Sequence, residues 1–130
     1  AVNSYSCVNA PSQYAALAAL TGPQDAVLKM VAEFDKRRKI VVEGLNKLPG
    51  VSCATPKGAF YAFPNIKQTG WKAKALASAL LEDAGVATIG GPDFGVLGEG
   101  YMRISYANSA ANIQKALGRM GEFLASRKAA

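Results

Sequence analysis

The stretch "GEGYMRISYA", residues 98–107, holds the side chain with the clearest chemical purpose. Read as a strand, it alternates: Met102, Ile104 and Tyr106 face one way, Tyr101, Arg103 and Ser105 the other. A guanidinium in mid-strand offers a planar fork to a carboxylate or phosphate, held more rigidly than on a loop. An exposed arginine on a polar strand face accounts for the same pattern, and the residues alone leave both readings open. The chain has no histidine, so Ser-His-Asp and Cys-His catalysis and His-ligated metals have no residue here to rest on. Cys7 and Cys53 form no metal or redox motif, and reduced thiols in a cytoplasmic protein suit them.

Other candidates flank Arg103. The segment "GGPDFGVLGEG", residues 90–100, carries five glycines and reads as a flexible connection. It lacks the lysine and the spacing of a phosphate cradle, and it leads into a strand rather than a helix. A flap beside a ligand is the alternative, with Phe94 as its apolar anchor. Asp93 and Glu99 are loop carboxylates with no visible partner, which leaves them no burial to shift a pKa for acid–base work. In "KGAFYAFPN", Phe60 falls on one side and Tyr61 with Phe63 on the other. Taken singly, each of these aromatics reads as core packing. Lys57 lies in a turn and Lys72 and Lys74 begin a helix, all as surface residues.

The elements that must position these residues follow from punctuation and period. "SQYAALAAL" predicts a short buried helix that ends at Gly22. Pro23 and Asp25 open a long helix, with Val27, Val31, Phe34, Val41, Leu45 and Leu48 on one face and Pro49-Gly50 as its stop. "VSCAT" and "AFYAFPN" read as strands joined by "PKG". Residues 72–84 return to helix, capped by Gly85, and "VATI" forms a short strand. After the Arg103 strand, Asn108 or Ser109 caps a last helix that shows Ile113, Leu117, Met120 and Leu124 on one face. A small sheet with covering helices, an α/β (α+β) fold, is the natural architecture.

Composition narrows the class. With 130 residues, half of them hydrophobic and 18% charged, the chain can build one core of a soluble domain. No apolar run nears the ~20 residues of a membrane span. The net charge of +6 raises the question of nucleic acid, but the one dense run, "DKRRK" at 35–39, has no interleaved aromatics. It reads as a solvated helix face. The opening "AVNSYSCVNAPS" has neither an initiating Met nor the order of a signal peptide, and suggests a piece of a longer chain.

Taken together, "SQYAALAALTGPQD", "LNKLPGV", "PKGAFYAFPNI", "LLEDAGVATIGGPDFG" and "GEGYMRISYANSAANIQKAL" resemble, in order and spacing, the C-terminal end of class I aminotransferases. These are pyridoxal-phosphate enzymes of the aspartate aminotransferase family, and the likeness is to the bacterial-type branch. The resemblance implies that residues 1–22 are a remnant of the large cofactor-binding domain and 23–130 the C-terminal small domain. It implies that Arg103 binds the substrate α-carboxylate and that Phe60 packs beside it. Ser6 would approach the neighbouring subunit's site in a homodimer. One branch of the family has an arginine four residues before that serine, where this chain has Val2. The substrates would be an amino acid and a 2-oxo acid, with no nucleic acid or membrane as partner. The cofactor, pyridoxal 5'-phosphate, would be held by a lysine upstream of residue 1, so the chain alone would not transaminate. The rival reading is a free-standing, non-catalytic α/β module that binds small carboxylates. The two differ in residues 11–20: a free-standing module should bury Ala16, Leu17 and Leu20, and a fragment should expose them.

Overall fold

The computed structural model describes residues 7–127, which fall into two compact units, one running up to Ala32 and the other from Glu33. Ser6 and Val2 lie outside the described residues.

In the first unit, helix α1 spans Ala10–Thr21, and the Asn9 side chain caps it by accepting from the Ser12 N–H at 2.9 Å. The helix was expected to be buried, yet none of its residues is, and Leu20 is 82% exposed. Its alanines and leucines spread around all sides, so no single stripe directs it into a core. Helix α2 spans Asp25–Leu45. Val27 and Val31 were expected on its core face, but both are exposed. Periodicity identifies the apolar stripe of a helix but not how far along its length a core extends.

The second unit matches the expected small sheet with covering helices. Its core is built from the far end of α2 (Val41, Val42, Leu45), helix α3 over Ala73–Ala84 (Leu76, Leu80) and helix α4 over Ala110–Ser126 (Ile113, Met120, Phe123). Ala62, Ile66, Met102 and Tyr106 complete it from the sheet side. Gly85 ends α3 in the left-handed region at φ 62°, a conformation glycine adopts without steric cost. Ser109, rather than Asn108, caps α4, accepting from the Asn112 N–H at 3.2 Å.

Three strands form the sheet: β1 at Tyr61–Ala62, β2 at Ile89–Gly90 and β3 at Met102–Ser105, in the order β1-β3-β2. Both pairings are antiparallel, with Tyr61 opposite Ser105 and Ile89 opposite Arg103. The expected "VSCAT" strand reduces to one bridge, Ser52 to Asn65, because Cys53 is tied instead to the Asn46 side chain beyond the end of α2. The "VATI" strand shrinks to its last residue and shifts onto Gly90. Arg103 thus stands on the central strand, with a neighbour on each side.

Candidate functional site: an arginine walled by aromatic rings

Arg103 is half-buried, and among the described residues no carboxylate pairs with it. Its Cζ lies 4.4 Å from the ring centroid of Tyr61 and 4.4 Å from that of Phe94. Ring faces are electron-rich and favour a cation, and guanidinium tolerates such partial desolvation better than ammonium. Rings do not neutralise it. The fork keeps its donors for an incoming anion, and the apolar walls thin out competing water, which strengthens the attraction.

Each wall has its own support. Tyr61 is delivered by β1, where it stands opposite Ser105, two residues along β3 from Arg103. Phe94 comes from the glycine-rich segment, which was read as a flexible connection and proves to be folded. It forms two 3-10 turns, Gly91–Phe94 and Val96–Gly98. The Gly91 N–H donates to the Tyr101 carbonyl at 2.8 Å, and the backbones of Gly91 and Gly98 touch so closely that neither has room for a Cβ.

The loop carboxylates also have partners. Asp93 pairs with the Lys74 ammonium at 2.7 Å. Glu99 Oε1 accepts from the Ala73 N–H at 3.0 Å, where a carboxylate suits the positive end of α3. These partners lie 19 and 26 residues away in sequence, too distant for local pattern to show. Both carboxylates are thereby tied down without being spent on Arg103.

Phe60 stands one ring removed from the guanidinium. Its centroid is 4.5 Å from that of Tyr61 and 6.1 Å from that of Phe34. The sequence reading named Phe60 and suggested Phe94, but it missed Tyr61 as a wall of the site. The signal was present in the alternation that put Tyr61 and Phe63 together on one side. Phe63 stacks with Tyr101 at 5.6 Å and meets Phe94 edge-on at 6.2 Å, so the apolar surface continues past Arg103. Lys67 Nζ lies over Tyr101 at 5.1 Å, a second cation on this aromatic surface.

Every lysine among the described residues is exposed, including Lys57, Lys72 and Lys74. A lysine that forms a Schiff base needs a desolvated or otherwise depressed amine. The residues present therefore do not fit a covalently held pyridoxal phosphate. No group of three His, Cys, Asp or Glu residues among those described could hold a metal.

The basic run is largely neutralised along its own helix. Glu33 pairs with Lys36 and Arg37, and Asp35 with Arg38 and Lys39. Lys39 and Arg38, in that order, hold the Asp35 carboxyl below its usual range by hydrogen bonding. No helix among the described residues is long and apolar enough to cross a membrane.

Fold and site together define an α/β domain whose central strand carries a ring-walled arginine with no carboxylate partner among the described residues. The model of the family "Aminotransferase class I and II" matches residues 1–120, and the chain belongs to that family. It is 47% identical over 103 residues to an aspartate aminotransferase of Pyrococcus horikoshii, a match that covers 79% of this chain and 26% of that protein. A crystal structure of an aromatic aminotransferase from Pyrococcus horikoshii superposes with a TM-score of 0.83 at 44% identity, covering 88% of this chain and 31% of that one. An alanine aminotransferase from Pyrococcus furiosus gives a TM-score of 0.87 at 34% identity, covering 93% and 31%. The chain thus spans less than a third of the length of these relatives.

Proposed function

We propose that this chain serves an aminotransferase as the part that anchors the α-carboxylate of an amino acid or 2-oxo acid, with Arg103 as the anchor. The observation that carries this reading is the guanidinium itself: central strand, no carboxylate partner among the described residues, and two aromatic rings at 4.4 Å. A bidentate arginine fixes both oxygens of a carboxylate and hence the rotation of the carbon that bears the amino group. The reading takes residues 1–22 as part of a large domain and 23–130 as the small domain. It places the parent as a cytoplasmic homodimer, with Ser6 reaching the partner subunit's substrate. Pyridoxal phosphate, when bound to the parent, supplies the electron sink, and a lysine outside this chain holds it. The chain alone does not transaminate.

Relatives named for aspartate, aromatic residues and alanine share this domain. That variety supports a role for Arg103 toward the carboxylate common to all amino acids. Membership of the aminotransferase family, and a span of less than a third of its relatives' length, favour this reading over the free-standing carboxylate-binding module.

The test is kinetic, in the full-length protein. Arg103→Ala should lower kcat/KM for the amino acid by about 100- to 1,000-fold, the loss of two charge-assisted hydrogen bonds. Arg103→Lys should recover only part of it, since an ammonium is not a fork. Cofactor absorbance should be unchanged. Unaltered kinetics in both variants would refute the assignment.

A further inference from the structure

We propose that Tyr106 is a positioning residue for the Arg103 anchor, its hydroxyl holding Ala59 in a left-handed conformation that sets Tyr61 against the guanidinium. The proposal rests on the reading of Arg103 as the carboxylate anchor.

Ala59 has φ 60°, and among the described residues it is the one non-glycine with positive φ. Alanine has no side-chain group to favour that region, and its Cβ opposes it. Contacts from elsewhere must hold it there. Tyr106 supplies them: its hydroxyl donates to the Ala59 carbonyl at 2.9 Å, and its N–H donates to the Phe60 carbonyl at 2.9 Å. From the other end of the same turn, Arg38 Nη1 donates to the Pro56 carbonyl at 2.9 Å. The turn between these clasps is exposed and depends on them for its shape.

The chain enters β1 immediately after this turn. A change in the Ala59 torsion therefore rotates the entry into Tyr61, whose ring is the wall 4.4 Å from Arg103 Cζ. Tyr106 is itself buried, with its ring 6.4 Å from that of Phe34. A phenylalanine would fill the same volume and keep the N–H bond to Phe60, so the hydroxyl bond to Ala59 is the one part of the clasp that this change removes. Tyr106 and Arg103 lie three residues apart on one strand segment, and the route between them runs through the partner strand. The turn thus tunes the site without touching a ligand.

The experiment uses the full-length protein labelled with 15N-arginine and free of substrate. Arg103→Lys identifies the Arg103 Nε–H resonance by its loss. Tyr106→Phe should shift that resonance, because the Tyr61 ring current changes. It should also raise KM for the amino acid about 3- to 10-fold, with a smaller change in kcat. Ala59→Gly, added to Tyr106→Phe, should return the resonance to its wild-type position and KM to within about twofold of wild type, since glycine adopts positive φ freely. An unmoved resonance in Tyr106→Phe, or no recovery on adding Ala59→Gly, overturns the proposal. A different pattern separates the two ideas. If the resonance moves and recovers while Arg103→Ala leaves KM unchanged, the carboxylate reading falls and the positioning by Tyr106 stands.

Discussion

Gly91→Ala probes how the glycine-rich segment delivers Phe94 to Arg103. A Cβ at position 91 would lie 2.8 Å from the Tyr101 carbonyl oxygen and 2.8 Å from the Gly98 carbonyl carbon, with the Gly98 oxygen nearer still. All three atoms belong to backbone, so no side chain can swing aside. To restore an ordinary contact of about 3.5 Å to the Gly98 oxygen, the two turns of the segment must part by more than about 1 Å. That movement stretches the Gly91 to Tyr101 hydrogen bond, now 2.8 Å. Overpacking of this kind costs about 1–3 kcal/mol, and a rigid neighbour places it toward the upper end. For a protein with a urea dependence of about 1–2 kcal/mol per molar, the midpoint should fall by roughly 1–2 M. Phe94 should leave the Arg103 face, and KM for a carboxylate substrate should rise with it. Gly58→Ala is the control, because a Cβ there meets nothing within 4 Å, and it should leave the midpoint within about 0.5 M. Equal midpoints for the two variants would show that Gly91 and Gly98 do not hold the segment.

Three further outcomes follow from the core and the two thiols. Leu80→Ala removes a side chain with 0% exposure and should cost about 2–5 kcal/mol, read as the fall in the urea midpoint. Cys7 is exposed and Cys53 buried, so a thiol reagent should label Cys7 at once and Cys53 only on unfolding or slow opening. Burial pushes the Cys53 thiol above its ordinary 9.0, so the folded state keeps its proton where the unfolded chain has lost it. Stability from this group is intact below pH 9 and falls as pH rises through the folded value. Urea midpoints at pH 8 and pH 10 should therefore differ more in the wild type than in Cys53→Ala, and equal differences would exclude the thiol as the cause.

Much of the site was legible before any tertiary contact was known. The guanidinium on a strand next to a glycine-rich segment is a local pattern, and so is the alternation that groups Tyr61 with Phe63. The caps of α3 and α4 were readable for the same reason, because Gly85 and Ser109 act within one helical turn. The resemblance added the identity of the family, which the family model bears out, and the proposal of a role for Arg103. It pointed to Phe60 beside the arginine, whereas the rings found on the guanidinium are Tyr61 and Phe94.

What only the tertiary structure decided is a matter of pairing between distant residues. Asp93 and Glu99 looked partnerless because Lys74 and Ala73 lie on a helix that the sequence places well before them. The glycine-rich segment looked flexible because composition records the freedom of glycine but not the backbone contact that uses it up. Helix α1 and the start of α2 looked buried because apolar residues at helical spacing show which face would go inward, not whether anything lies there. The sequence by itself determined the helices, the strand that bears Arg103 and the chemistry an arginine can offer, since each depends on neighbours along the chain. The walls around that arginine, the left-handed turn at Ala59 and the hydroxyl that holds it were set by packing across the sheet, where residues meet that no local spacing brings together.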